Sequence, residues 1–180
     1  MSPARRWRTV LDSEGEAFDL RELFHGRISV LSFIYTRCND PRGCPLATGM
    51  LHRPAWTVAQ DPVLAEAGLQ LLSLSFDPDH DTPEVMRSYA ESVYHGSGSD
   101  WRFLTTGSRA ALQPILRAYD QPIGTKDDAL DPFGPFYHQL RVFLIDRDGQ
   151  IRNIYSLGFL DPRLVLADIR TLMLEEQTRP

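Results

Sequence analysis

Lysine is nearly absent: among 19 basic residues in a chain of 180, Lys126 is the single lysine and every other is arginine. The arginines are scattered and the formal net charge is −5. With no basic stripe to neutralise a phosphate backbone, nucleic-acid binding finds no support. Long apolar runs are missing too. Nothing approaches the roughly 18 residues that a membrane-spanning helix needs, and no charged-then-apolar leader opens the chain. The cluster Arg5-Arg6-Trp7-Arg8 reads as a solvated terminus, with the remnant of a removed membrane anchor as the second reading. Internal repeats and low-complexity tracts are absent, which confines expected disorder to the ends. Cysteine is scarce, Cys38 and Cys44 being the only two. No disulfide framework carries the fold and none is needed, because a chain of this length buries about 70% of its unfolded surface by itself.

What is present is an ordinary globular composition, 42% hydrophobic and 24% charged. It is expected to fold as a single domain over residues 1–180, with an ordered core from about 7 to 175. Near the N-terminus, alternation over Trp7 to Leu11, a Gly15 turn and Ala17 to Leu20 predict a hairpin. Asp19 is placed to cap a short helical turn that Gly26 ends. Ile28 to Tyr35 and Leu69 to Phe76 are apolar on both faces, as central strands covered by helices should be. A helix is expected from Pro45 to about Gln60 in spite of Pro54, with others on the faces Val85 to Val93, Leu112 to Leu116 and Leu164 to Met173. His95 to Ser99 reads as a flexible loop, Trp101 to Thr105 as a short strand, and Asp120 to Tyr137 as a long irregular segment. Asp148-Gly149 predicts a tight turn between Leu140–Asp146 and Ile151–Tyr155. This order gives an α/β fold, a three-layer sandwich with an N-terminal β-hairpin and a central mixed sheet.

The chemistry gathers in a strand that runs into both cysteines. Pro45 opens a helix directly after Cys44, and a helix N-terminus favours negative charge, so thiolates are supported there. The pair leaves a disulfide, a dithiol and a metal site open. His138 precedes the strand at Leu140; if that strand lies antiparallel to Ile28–Tyr35, the imidazole and the two thiols converge. Two thiolates and an imidazole make a soft set suited to Cu(I), and to Cu(II) with a further weak ligand. A structural zinc site would want a fourth donor, and none is evident. Asp77 ends a buried strand, where open α/β sheets place functional groups, while Asp81 or Thr82 is expected to cap the next helix, with Glu84 reaching back. His25, His52, His80 and His95 read as surface or satisfied histidines. A peroxidase reading, from Thr36 two residues before Cys38, lacks a separate resolving cysteine.

Tyr35-Thr36-x-Cys38 before Cys44-Pro45, then Asp77-Pro78-x-x-Asp81-Thr82-Pro83-Glu84, then His138 before Val142-Phe143-Leu144-Ile145-Asp146-x-x-Gly149, together resemble the SCO/SenC family. The resemblance implies a thioredoxin-like fold, tethered to a membrane on its oxidising, periplasmic side. It also implies copper held by Cys38, Cys44 and His138, and a role as copper chaperone or thiol reductase in assembling the copper centre of a client such as a cytochrome c oxidase subunit. A thioredoxin-like thiol-disulfide oxidoreductase acting through Cys38 and Cys44 without copper is the alternative. The family pattern has three residues between the cysteines. Here Asn39-Asp40-Pro41-Arg42-Gly43 make five, which predicts a looser pair, and Gln139 stands where the family usually has a small hydroxyl residue.

Overall fold

The computed structural model describes residues 8–93, 100–128 and 131–178; the readings made for Arg5 to Trp7 and for His95 to Ser99 lie outside them. The chain begins with a hairpin of β1 (Thr9–Leu11) and β2 (Ala17–Asp19), followed by α1 (Leu20–Phe24). Asp19 caps α1, its side chain accepting the Arg21 amide. β3 (Ser29–Ile34), α2 (Cys44–Gln60), α3 (Pro62–Glu66), β4 (Gln70–Ser75), α4 (Pro83–Val93), β5 (Asp100–Leu104) and α5 (Arg109–Ala118) come next. The chain closes with β6 (Ile123–Thr125), β7 (Phe136–His138), β8 (Arg141–Ile145), β9 (Ile151–Ser156) and α6 (Pro162–Thr178).

The central sheet has the order β5-β4-β3-β8-β9. β3, β4 and β5 run parallel and β8 and β9 antiparallel to their neighbours, so the sheet is mixed as expected. β3 and β4 are buried at every position, which explains why apolar residues stand on both faces of each strand. One face carries α2, α4 and α6. There Thr48 of α2 bonds Tyr89 of α4 at 3.0 Å, and Tyr155 of β9 donates to Asp168 of α6 at 2.6 Å. The opposite face carries α1 and the end of α5, with Gln70 donating to the Leu23 carbonyl oxygen and Tyr119 packed edge-on against Phe33 and Phe143. Serines inside this sheet are paired rather than orphaned: Ser32 and Ser73 share a 3.1 Å hydrogen bond and the Trp101 indole donates to Ser73.

Two local expectations are corrected. Residues 120–137 are not wholly irregular, because β6 and β7 pair antiparallel, with Ile123 opposite His138. The helix expected across Pro54 is present, α2 running from Cys44 to Gln60. On α6 the buried stripe is Val165, Leu166, Ile169 and Leu172, while Leu164 is exposed.

Candidate metal centre

Cys38 and Cys44 follow the C-terminal end of β3, and β8 lies antiparallel beside it, so the residues entering β8 arrive at the same edge of the sheet. Those residues include His138, at the end of β7. The three donor atoms lie within 4.8 Å of one another, with Cys44 Sγ 3.6 Å from His138 Nε2. Both cysteines are buried and unpaired by any disulfide. Metal–sulfur and metal–nitrogen bonds of about 2.0–2.3 Å put donors of one ion about 3.6–4.0 Å apart. The observed set therefore fits one ion with small inward shifts.

The five-residue gap still closes on this set. The Gly43 amide donates to the Asp40 carbonyl oxygen at 2.9 Å and the Arg42 amide to Asp40 Oδ1 at 2.9 Å, so the additional length is taken up in a turn. The turn returns Cys44 to the start of α2 with Pro45 in its first turn. Cys38 is held from the other side by its own amide, which donates to the Tyr35 carbonyl oxygen.

The two thiols are unequal. Cys38 is lowered to about 4, first because the Cys44 thiol donates to its sulfur, with further help from His138 and from the amides of Cys44 and Asp40. Cys44 is pushed well above the ordinary thiol value by burial and by the neighbouring Cys38. The pair thus holds one proton across the neutral range, with Cys38 as the thiolate. A depressed folded value contributes stability that is present above the unfolded thiol value, near 8.5, and is lost as pH falls toward about 4. The raised Cys44 acts oppositely, its contribution being lost as pH rises past the same unfolded value. Urea unfolding of the reduced, metal-free chain, taken as the difference from Cys38→Ala, should therefore give a stability difference that rises with pH from about 4 to the ordinary thiol range. A flat difference would contradict the assignment.

Beneath the donors lies an aromatic floor. The His138 ring stands edge-on to Tyr35 at 5.5 Å and tilted against Phe76 at 5.3 Å. Tyr35 is the fastening point between the cysteine loop and the segment that brings His138, since its hydroxyl donates to the Phe133 carbonyl oxygen at 2.9 Å. Gly134 makes that contact possible. It sits at φ +95, and a Cβ there would overlap the Tyr35 hydroxyl and come 2.9 Å from the Arg37 carbonyl oxygen. Gly134→Ala is expected to cost about 2–4 kcal/mol and to detach His138, seen as a lower unfolding midpoint and weaker metal binding. Lys126, in the same hairpin, is drawn in toward Asp131 at 2.9 Å and over the Tyr137 ring at 5.5 Å.

Of the two residues expected to cap α4, Asp81 braces the loop instead. Buried Asp81 accepts from the Thr36 amide at 3.1 Å, the Thr36 hydroxyl at 2.6 Å and the Ser75 hydroxyl at 2.5 Å. Thr82 supplies the cap, its hydroxyl accepting the Val85 amide, and Glu84 meets Thr82, not Asp81. Asp77, also buried, pairs with Arg37 at 2.7 Å, one residue before Cys38. His80 leans on Asp81 at 3.1 Å, and His52 is exposed with its ring edge-on to Trp101. Gln139 turns outward, its side chain accepting from Arg141. Sequence reasoning missed the roles of the Tyr35 hydroxyl, Gly43 and Gly134; the Pro-Phe-Gly-Pro run around Gly134 was the one visible signal.

The SCO1/SenC family profile matches residues 7–174. A curated Stutzerimonas stutzeri protein assigned a copper-binding role is 26% identical over 145 residues, covering 80% of this chain and 65% of that protein. The chain thus spans under two thirds of that relative's length. The crystal structure of Arabidopsis thaliana ScoI with copper bound superposes with a TM-score of 0.75 at 16% identity, covering 93% of this chain and 96% of the other. A SCO1/SenC family lipoprotein from Bacillus anthracis gives 0.74 at 20% identity and 92% coverage of both chains. The fold is accordingly thioredoxin-like, and no helix among the described residues is long and apolar enough to cross a membrane. With its profile matched over residues 7–174, this chain belongs to the SCO1/SenC family.

Proposed function

We propose that the chain binds one copper ion through Cys38, Cys44 and His138 and serves as a copper chaperone or thiol reductase for a copper-centre client such as a cytochrome c oxidase subunit. The single observation that carries this reading is the convergence of two buried sulfurs and an imidazole nitrogen within 4.8 Å. Cys38 supplies a thiolate at neutral pH, Cys44 a second sulfur on loss of its proton, and His138 the nitrogen. Bound there, copper would supply a soft one-electron centre suited to transfer between proteins. His138 also argues against a purely dithiol oxidoreductase, which has no use for an imidazole at this position. The lipoprotein neighbour supports a site of action tethered to a membrane, and the periplasmic side is part of the proposal. Anaerobic titration of Cu(I) and Cu(II) against a chromophoric chelator is expected to give one tight equivalent per chain. Wild type binding no more tightly than Cys38→Ala and His138→Ala would end this reading.

A further inference from the structure

Gly43 joins the loop to α2, and it is also a wall of the donor set. A Cβ on Gly43 would lie 3.1 Å from Cys38 Sγ, 3.2 Å from His138 Nε2 and 3.3 Å from the Asp40 carbonyl oxygen. Any side chain would fill the space that the sulfur and the imidazole nitrogen both border. The space is not sealed, because Gly43 and His138 also line a cleft of about 530 Å³ whose walls carry Asp40, Arg42 and Arg141. Two cations thus face one carboxylate. Asp40 has one oxygen engaged by the Arg42 amide, the Arg42 guanidinium is exposed without an ion pair among the described residues, and Arg141 pairs with Asp120, which is 94% exposed and hence screened.

We infer that Gly43 is the specificity-determining residue of this site, holding open a position beside Cys38 and His138 for a ligand that enters through the Arg42–Arg141 cleft, and that this ligand is a thiol carrying a nearby carboxylate. The thiol follows from the softness of the donor set, and in that respect the inference rests on the copper reading. The carboxylate follows from the guanidinium pair. The aperture itself belongs to the metal-free protein.

The test alkylates Cys38 in the reduced, metal-free chain with iodoacetate and with its neutral counterpart iodoacetamide, each rate being referred to free cysteine. In wild type the anionic reagent is expected to be favoured by about threefold or more, and Arg42→Ala should remove that preference without changing the iodoacetamide rate. Gly43→Ala should slow both reagents by about tenfold. Gly49→Ala, inside α2 and with an added Cβ that meets nothing within 4 Å, controls for a methyl group added to this helix away from the donors. Equal rates in Gly43→Ala and wild type overturn the aperture, and a charge preference that survives Arg42→Ala overturns the carboxylate. If Gly43→Ala does not fold, the Arg42→Ala comparison still decides the cleft. A chain that shows the expected rates yet binds no copper defeats the functional reading and upholds the aperture.

Discussion

Cys38→Ala is expected to remove copper binding in both oxidation states, with affinity falling by about 100-fold or more, whereas His138→Ala is expected to separate the two states. Cys38 is the donor already ionised at neutral pH, so its loss leaves Cys44, whose proton is held by burial, as the only sulfur. Losing His138 leaves two thiolates, and Cu(I) accepts so sparse and soft a set. Cu(II) demands additional and harder donors, so its affinity should fall about tenfold further than that of Cu(I). Chelator competition under anaerobic conditions reads both values, and unfolding midpoints of the metal-free variants show that the fold is kept. No loss for either oxidation state in His138→Ala would mean that the imidazole is not a ligand.

Asp81→Ala should be the most destabilising single change near the site, lowering unfolding free energy by about 3–5 kcal/mol. Its carboxylate satisfies the Thr36 amide, the Thr36 hydroxyl and the Ser75 hydroxyl at once, and it is fully buried. Removing it strands those donors away from water and opens a void beneath the strand end that leads to Cys38. Asp81→Asn keeps the volume and should cost roughly half as much, though its amide must turn an N–H toward a donor. Urea unfolding checks both. A loss under about 1 kcal/mol for Asp81→Ala would mean that the loop does not depend on this brace.

The sheet was legible because β3 and β4 are buried on both faces and so carry apolar residues on both, while Asp148-Gly149 marked its hairpin by turn chemistry alone. The convergence of His138 with the cysteines was also legible, since it requires only that two strands run antiparallel. Other features were hidden for physical reasons. β6 and β7 are three residues each, too short to show a period, and α3 is a five-residue turn. Asp81 looked like a cap because its partners at Thr36 lie 45 positions earlier, and local patterns carry no trace of such a bond. How the five-residue gap closes was hidden because spacing alone does not reveal that Asp40 draws the chain into a turn. Leu164 sits at helical spacing with the buried residues of α6, but the helix is rotated so that Leu166 takes the inner place.

The solitary lysine described above has a practical corollary. With its amine beside Asp131 and only 10% exposed, Lys126 is the chain's single side-chain primary amine, so acylating labels and lysine-directed proteases find one internal address. That address lies on the hairpin that carries His138. The protein thus has a native single-site footprint for the hairpin's opening, readable by mass spectrometry without introducing any reporter residue.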